Sequence, residues 1–356
     1  MMKKALKNCL TPDTVAALLA WYRENRRELP WRRTREAYHI WLSEIMLQQT
    51  RVEAVKPYYA RFLAAAPTVA DLAALPADTL MKLWEGLGYY SRARNLQKAA
   101  VRVVEQYGGE IPRTYAELLT LPGVGEYTAG AVASIAFGER VPAIDGNVLR
   151  VLSRLCASDA DIADPSVKKD LRRELEPLIP VDAGDFTQAL IELGATLCGP
   201  NAAPVCHSCP MRHVCEAKRL GCADLLPVKR TKKARRVEKK TVLLIRDGDR
   251  TALHKRPETG LLAGLYELPN VEGHLDERTL LAYIRSIGFE PLRVSRLEDA
   301  KHIFTHVEWH MIAYDVRITP EFDGLHGQSG MLLVPNRELH DRYAVPSAFS
   351  AYTCHL

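Results

Sequence analysis

The sequence predicts a multidomain protein in which an all-α domain is followed by an α+β domain. Its 356 residues are enough for about two or three domains of ordinary size. From about Val15 to Leu220, apolar residues recur at helical spacing, with Pro and Gly at the turns. From Thr241 onward, apolar and polar residues alternate, which is typical of half-buried strands.

A basic segment, LLPVKRTKKARRVEKK, separates the two patterns and has few residues to bury. Such composition predicts an extended linker, which either tethers the domains in solvent or contacts phosphate. We therefore place the helical domain at residues 1–222, the basic linker at 223–240 and the second domain at 241–356. Within the second domain, Asp247, Gly248 and Asp249 predict a hairpin turn, and DERTLLAYIRSIGF predicts a helix.

The composition is that of an ordinary globular protein, and the net positive charge lies in the first part of the chain. Hydrophobic residues make up 47% and charged residues 26% of the chain, as in ordinary globular proteins. Residues 1–240 contain 36 Lys and Arg against 27 Asp and Glu, whereas residues 241–356 contain 12 against 16. No apolar run approaches the roughly 20 residues of a membrane span. The first residues lack the pattern of a signal peptide, so we expect a cytoplasmic protein with no membrane partner.

Four of the eight cysteines form a compact cluster with the spacing C-x7-C-x2-C-x5-C: Cys198, Cys206, Cys209 and Cys215. In a cytosolic chain, such close spacing favours metal-bound thiolates over disulfides. The cysteines themselves leave zinc and an iron–sulfur cluster open.

The segment TLPGVGEYTAG predicts a tight turn between two helices, with Gly123 and Gly125 two residues apart. The amide groups at the start of the second helix would be available to an anion such as a DNA phosphate. A PGVG segment by itself is more often a simple turn, so its neighbours decide its meaning.

Two acidic residues are candidates for chemistry on a glycosidic bond. Glu44 lies on the apolar side of a predicted helix, where burial would raise its pKa, unless it turns outward into water. Asp145 precedes another predicted helix, where it would serve as an N-cap and be held ionised by the helix dipole. We therefore expect a proton donor and an anionic stabiliser.

Together, the turn, the aspartate about twenty residues after it and the four-cysteine loop resemble the helix-hairpin-helix DNA glycosylase superfamily, which includes endonuclease III. Within it, four segments resemble the adenine DNA glycosylase (MutY) family: LPWR, WLSEIMLQQT, GLGYYSRARNL and DGNVLR. The resemblance extends from about Trp21 to the C-terminus.

This resemblance implies excision of adenine mispaired with 8-oxoguanine or guanine in double-stranded DNA, by a monomer that leaves an abasic site. The adenine would be flipped into a pocket. Glu44 matches the glutamate that protonates adenine N7, and Asp145 matches the aspartate that stabilises the oxocarbenium-like sugar. Asn147 matches an asparagine that orients catalytic groups. Tyr127 stands where relatives that also cut the strand carry a Schiff-base lysine, which implies a monofunctional hydrolase.

The same resemblance assigns residues to the two bases of the mispair. Trp31, Arg32 and Gln188 would hold the flipped adenine. Gln49 and Tyr89 would insert into the base stack next to the lesion. Thr50, Leu87 and Gly88 would line the 8-oxoguanine site. For Tyr89, a plain core position is the alternative.

The resemblance also implies a [4Fe–4S] cluster on the four cysteines, although the first spacing is one residue longer than the usual C-x6-C. The second domain resembles a Nudix fold through GLLAGLYELP, but it lacks the acidic helix that binds magnesium in Nudix hydrolases. It would read 8-oxoguanine through Phe304, Thr305 and His306, which match a Phe-Ser-His motif. An ordinary amphipathic strand is the alternative for these three residues.

Two other functions are consistent with part of this pattern. A thymine or pyrimidine-lesion glycosylase of the same superfamily can also carry Tyr at the position of Tyr127, but such relatives end near the cluster. A non-catalytic, cluster-containing DNA-binding protein would have no need for both Glu44 and Asp145. Through its DNA, the protein would associate with the nucleoid.

Overall fold

The computed structural model describes residues 5–200, 203–229, 234–319 and 330–356. The chain divides into two compact units. The first unit comprises Met1–Ala74 and Asn95–Thr231, and the second comprises Leu75–Arg94 and Lys232–Leu356. The segment Leu75–Arg94 therefore groups with the C-terminal part of the chain, although the sequence pattern placed it in the helical domain.

The first unit is helical, as predicted. The helices from the N-terminus to residue 219 are α1 (Pro12–Asn25), α2 (Ala37–Leu47), α3 (Val52–Ala65), α4 (Val69–Ala74), α5 (Ala77–Trp84), α6 (Ser91–Tyr107), α7 (Tyr115–Leu118), α8 (Glu126–Phe137), α9 (Gly146–Leu155), α10 (Pro165–Leu175), α11 (Ala183–Thr196) and α12 (Glu216–Arg219). Of these, α5 and the first residues of α6 lie in the second unit. Short 3-10 turns include Pro30–Arg32, Cys206–Ser208 and Ala223–Leu225.

Helix α11 is the central element of the first unit, because α1, α8 and α9 all pack against it. Helix α2 packs against α8, and its residues from Ile40 to Met46 are all buried. A polar side chain on α2 is therefore forced into the interior unless it lies at an end of the helix. This packing sets the environment of Glu44.

The turn between α7 and α8 is the predicted one, and Gly123 is required there. Its backbone has φ +75°, and a Cβ atom at this position would lie 2.5 Å from Cβ of Asn95. At Gly125, which precedes α8, an added Cβ would meet nothing within 4 Å. The two glycines of the motif therefore have different structural roles.

We expect Gly123→Ala to lower the free energy of unfolding by about 2 kcal/mol, because the substitution adds backbone strain at positive φ and a clash with Asn95. Gly125→Ala is the matched control, since its φ of −94° suits any residue. Urea denaturation of both variants would test this difference. Equal unfolding free energies for the two variants would contradict it.

The second unit contains a mixed sheet, which confirms the predicted α+β class. Its strands are β1 (Arg236–Asp247), β2 (Arg250–Lys255), β3 (Tyr266–Glu267), β4 (Asn270–Glu272), β5 (Pro291–Ile303), β6 (Val307–Ile318) and β7 (Met331–Pro335). The sheet order is β3-β2-β1-β6-β5, with β4 on β1 and β7 on β2; β1 and β6 are parallel. The helices are α13 (Glu277–Ser286), α14 (Asn336–Arg342) and α15 (Ser350–Thr353).

Alternate residues of β1 enter cores on opposite faces of this sheet. Val242 and Leu244 pack with the C-terminal helices, whereas Leu243 and Ile245 pack with α13. The predicted hairpin is also present, since Asp247 pairs with Arg250 across Gly248 and Asp249. Strand periodicity and turn residues were therefore sufficient to predict these elements.

The predicted linker is too long at its C-terminal end. Strand β1 begins at Arg236, which pairs with Val307 at the start of β6, so residues 236–240 belong to the sheet. The reason is tertiary: backbone pairing with β6 holds the segment extended, and the charged side chains of Glu238 and Lys240 are partly buried. Arg230, Lys232 and Lys233 of the predicted linker lie outside the described residues.

Candidate active site

Glu44 lies in the interior of α2, and only 7% of its surface is exposed. Burial raises its pKa to about 7. A hydrogen bond from Tyr127 opposes this shift, and the negative charge of Asp145 adds to it. The outward alternative is therefore excluded, and a carboxyl group with this pKa is a proton donor near neutral pH.

Tyr127, in the first turn of α8, donates its hydroxyl to Oε2 of Glu44 at 2.6 Å. Burial and the neighbouring carboxylates raise the pKa of Tyr127 well above its ordinary value, so it stays a neutral donor. Its hydroxyl stabilises the charged form of Glu44 and orients the carboxyl group.

We expect Tyr127→Phe to raise the pKa of Glu44, because the donor that favours the carboxylate is lost. If protonated Glu44 is the active form, the rate of base excision falls as pH rises through about 7 in the parent protein. In the variant, this decline should move to higher pH. Single-turnover rates between about pH 6 and pH 9 would show it. An unchanged or lower midpoint would contradict the proposed role of the hydroxyl.

Asp145 caps α9 and accepts hydrogen bonds on both carboxylate oxygens. The Val148 amide donates to Oδ1, and Nδ2 of Asn147 donates to Oδ2, both at 2.7 Å. The predicted N-cap is therefore present, and its donors favour the ionised form of the carboxyl group. Burial raises the pKa of Asp145, although the hydrogen bonds and Arg150 oppose this effect.

Asn147 is fixed from its other end by Arg150, which donates to Asn147 Oδ1 at 2.8 Å. The same guanidinium donates to the carbonyls of Gly194 and Cys198 at 2.7 and 2.8 Å. Arg150 is buried, so these contacts are largely shielded from solvent. Asn147 can therefore orient Asp145 as predicted, and the backbone of one cluster cysteine supports the arrangement.

Glu44 and Asp145 line one cavity of about 700 Å³ in the first unit. Most of the predicted site residues of this unit also line it: Trp31, Arg32, Gln49, Thr50, Gly123, Gly125, Tyr127, Asn147 and Gln188. The volume suits a nucleobase with its sugar. Residues that are more than 150 positions apart in sequence thus converge as expected.

The sequence patterns did not single out Arg27, which lines the cavity, or Glu192, which binds Arg27. Buried Glu192 accepts from Arg27 at 2.7 Å and from Arg32 at 2.8 Å. Burial would raise its pKa, but the two guanidinium groups outweigh burial and lower the pKa to about 2. A signal was present, since Glu192 follows Gln188 by four positions and so shares its helix face.

In the second unit, Tyr89 is 45% exposed, which excludes a core position. Its hydroxyl lies 2.7 Å from Oγ1 of Thr305. Leu87 and Gly88 precede it in the turn between α5 and α6. Tyr89, from the predicted lesion-contacting residues, and Thr305, from the predicted 8-oxoguanine motif, are therefore brought together within one unit.

Phe304, Thr305 and His306 form the turn between β5 and β6, where the sequence pattern predicted one continuous strand-like run. Phe304 packs edge-on against Trp309 with ring centroids 4.9 Å apart, while Thr305 is exposed. The strand alternative is therefore wrong, because the Phe304 amide bonds to the Val307 carbonyl and closes the hairpin.

The four predicted cysteine ligands converge on one small, mainly apolar cavity. Burial and the neighbouring thiols raise the pKa of Cys209 to about 12, and Arg154 donates to Sγ of Cys198 at 3.2 Å. Within the described ranges, no three His, Cys, Asp or Glu side chains converge tightly enough for a single ion. Four thiols around one cavity, with a guanidinium donor at one sulfur, fit a larger thiolate-bound group.

Comparison with known families assigns both parts of the chain. Residues 42–177 match the model of the HhH-GPD superfamily base excision DNA repair proteins. Residues 241–353 match the NUDIX domain model. The predicted helix-hairpin-helix and Nudix-like folds are thus confirmed. Among the described residues, no helix is both long and apolar enough to cross a membrane.

The chain is 35% identical to an adenine DNA glycosylase of Rattus norvegicus, over 95% of this chain and 77% of the relative. The chain belongs to the adenine DNA glycosylase family. A human member of the family is 36% identical over 90% of this chain and 68% of its own length. Family membership confirms the predicted resemblance and shows that the chain is an enzyme.

Two solved structures resemble the helical part of this adenine DNA glycosylase family member. One is a thermostable thymine-DNA glycosylase, with TM-score 0.53 and 31% identity, covering 60% of this chain and 98% of that structure. The other is a non-covalent endonuclease III–DNA complex, with TM-score 0.50 and 29% identity, covering 58% and 94%.

Proposed function

We propose that this chain hydrolyses the N-glycosidic bond of adenine opposite 8-oxoguanine or guanine in double-stranded DNA and leaves an abasic site. One observation carries the chemistry: a buried carboxyl group with a pKa of about 7 shares a cavity with the capped Asp145. Two carboxyl groups in different electrostatic environments are the arrangement that glycosidic cleavage requires.

The first step is proton transfer from Glu44 to N7 of a flipped adenine. Flipping costs a few kcal/mol and is least costly at a mispair. Trp31, Arg32 and Gln188 line the cavity and would contact the base. Protonation makes the base a better leaving group, because electrons of the breaking C–N bond move onto a ring that carries a positive charge.

The second step is stabilisation and capture of the sugar cation. Asp145 provides negative charge next to the developing positive charge, and Asn147 fixes the orientation of its carboxylate. Water then adds to the anomeric carbon and loses a proton, which completes hydrolysis. The deprotonated Glu44 and Asp145 are the available acceptors for that proton.

The product should be an abasic site in an intact strand. Strand cleavage by a Schiff-base route needs an amine, and Tyr127 provides a phenol instead. Lys168 also lines the cavity, but its amine lies 4.0 Å from Glu126, and it is not at the motif position. The proposed enzyme is therefore monofunctional: it removes the base and leaves the strand intact.

Cys198, Cys206, Cys209 and Cys215 would hold a [4Fe–4S] cluster. When bound, such a cluster supplies four covalent anchors for the loop and is capable of redox chemistry, which base hydrolysis does not use. Its support for the site runs through this chain's own contacts, since Arg150 links Asn147 to the carbonyl of Cys198.

Purified protein should therefore be brown and contain about four iron and four sulfide per chain. Cys206→Ser should lower the iron content. Cys354→Ser is the matched control, because Cys354 is an exposed free cysteine away from the cluster. Elemental analysis would check both variants. A colourless protein with stoichiometric zinc would contradict the assignment.

The second unit supplies the proposed contacts to the base opposite adenine. Tyr89 and Thr305 present adjacent hydroxyl groups, and Thr305 keeps the hydroxyl of the family serine. The Nudix-like sheet would thus serve in recognition rather than in pyrophosphate hydrolysis. The monomeric state and the cytoplasmic, nucleoid-associated location stay predictions.

The experiment that tests the function is single-turnover incubation with four labelled duplexes, carrying A opposite 8-oxoguanine, A opposite G, A opposite T and T opposite G. Each reaction is analysed with and without alkali. We expect the fastest excision for A opposite 8-oxoguanine, with strand breaks only after alkali. Breaks without alkali would contradict the monofunctional mechanism, and release of T opposite G would favour a thymine glycosylase.

A further inference from the structure

The turn from Gly86 to Tyr89 has an unusual backbone. Gly86, Gly88 and Tyr89 have φ values of +93°, +69° and +47°. Tyr89 thus adopts a left-handed conformation that residues other than glycine rarely take, and this conformation persists only where surrounding contacts hold it. The strain places an exposed aromatic side chain at the tip of the turn.

The turn has its own internal supports. Nε1 of Trp84 donates to the Gly88 carbonyl at 3.1 Å, and Arg92 donates to the carbonyls of Leu87 and Gly88 at 3.1 and 3.2 Å. Burial lowers the pKa of Arg92 to about 10. The geometry of the turn is therefore set by residues close to it in sequence. Other contacts attach the turn to the rest of the second unit.

Helix α5, before the turn, is attached by two carboxylates. Asp78 accepts from Nζ of Lys255 on β2 at 2.7 Å and from the hydroxyl of Tyr266 on β3 at 3.1 Å. Glu85, directly before the turn, accepts from the Val345 amide at 2.8 Å. Each carboxylate therefore bonds to a part of the chain more than 170 residues away.

Two further contacts complete the attachment. Lys82, which pairs with Glu85 at 2.6 Å, donates to the Tyr343 carbonyl at 3.1 Å. After the turn, Arg94 donates to the Ala263 carbonyl at 2.6 Å. The segment is thus held on both sides of Tyr89, and the Tyr89 hydroxyl meets Thr305 at its tip.

We infer that Asp78 and Glu85 are specificity-positioning residues, which hold the Gly86–Tyr89 turn against the sheet so that Tyr89 and Thr305 act as one reader of the base opposite adenine. The inference rests on the proposed function. Neither residue lines the cavity that holds Glu44 and Asp145. Their loss should therefore reduce discrimination between opposite bases more than it reduces the chemical step.

The test compares single-turnover excision of A opposite 8-oxoguanine with excision of A opposite G. The measured ratio is the rate for A opposite 8-oxoguanine divided by the rate for A opposite G. We expect Glu85→Ala and Lys255→Met each to reduce this ratio by about tenfold, because each variant loses a charge-assisted hydrogen bond. Glu85→Gln should restore most of the ratio, since its amide oxygen still accepts from the Val345 amide. Lys255 is 40% exposed in its side chain, so its replacement is compatible with folding.

Glu53→Ala is the matched control. Glu53 forms the same kind of pair with Lys56, three residues away on α3, but lies in the first unit. A folded Glu85→Ala variant with an unchanged ratio would overturn the inference, as would an equal loss of both rates. Equal rates on the two duplexes in the parent protein would also overturn the inference, whereas a parent protein that excises adenine from neither duplex would contradict the proposed function.

Discussion

Glu44→Gln is expected to abolish adenine excision while mispair binding stays intact. Glutamine has the same shape and can still accept the Tyr127 hydroxyl, but it cannot donate a proton as an acid. General acid catalysis contributes roughly 10²–10⁴-fold to a rate, so we expect a loss of at least about a hundredfold. The measurement is the single-turnover rate on A opposite 8-oxoguanine, together with binding to the same duplex.

The control for this variant is Glu53→Gln, which replaces an exposed glutamate on the next helix. It should leave the excision rate unchanged. The parent enzyme should lose activity as pH rises through about 7, because the carboxyl group of Glu44 ionises there. Excision by Glu44→Gln at the parental rate would rule out Glu44 as the proton donor.

Asp145→Asn is expected to slow excision by about 10²–10³-fold, because the negative charge next to the sugar cation is lost. The amide oxygen can still accept from Val148, so α9 should keep its cap. Since the charge of Asp145 raises the pKa of Glu44, the variant's decline in rate should also move to lower pH. Rate–pH profiles of both proteins would measure the two effects.

Asp164→Asn is the control variant that separates the loss of charge at Asp145 from a general effect of changing a helix N-cap. Asp164 caps α10 through the Ser166 amide at 2.9 Å and does not line the cavity. Its replacement should not change the excision rate. A full rate in Asp145→Asn, with the helix intact, would show that the charge of Asp145 is not needed.

The sequence was sufficient to predict the parts of the site that depend on residue type and local spacing. Gly123, the N-cap at Asp145 and the four cysteines each belong to a short segment with its own pattern. The burial of Glu44 was predictable because its helix is apolar on nearly every side. The pattern after Thr241 likewise predicted a strand at β1, but alternation predicts a half-buried strand, and the structure buries residues on both faces of β1.

Tertiary structure decided the electrostatics. The predicted N-cap of Asp145 favours its ionised form, but the burial that raises the pKa of Asp145 depends on which helices pack around α9. The shared helix face of Glu192 and Gln188 was visible in the sequence, but the ion pairs of Glu192 with Arg27 and Arg32 were not, because they join residues about 160 positions apart. Desolvation and long-range ion pairs depend on which elements meet, and no local pattern records this.

Tertiary structure also decided to which unit the Gly86–Tyr89 turn belongs. By sequence, residues 75–94 lie inside the stretch that matches the HhH-GPD model, yet their contacts place them in the second unit. The sequence by itself determined which reactive groups are present, because the carboxyl groups, the thiols and the conformational freedom of glycine are properties of the residue type. Only the folded chain brings Tyr89 and Thr305 together, because Asp78 and Glu85 accept hydrogen bonds from Lys255 and from the Val345 amide, which lie far from them in sequence.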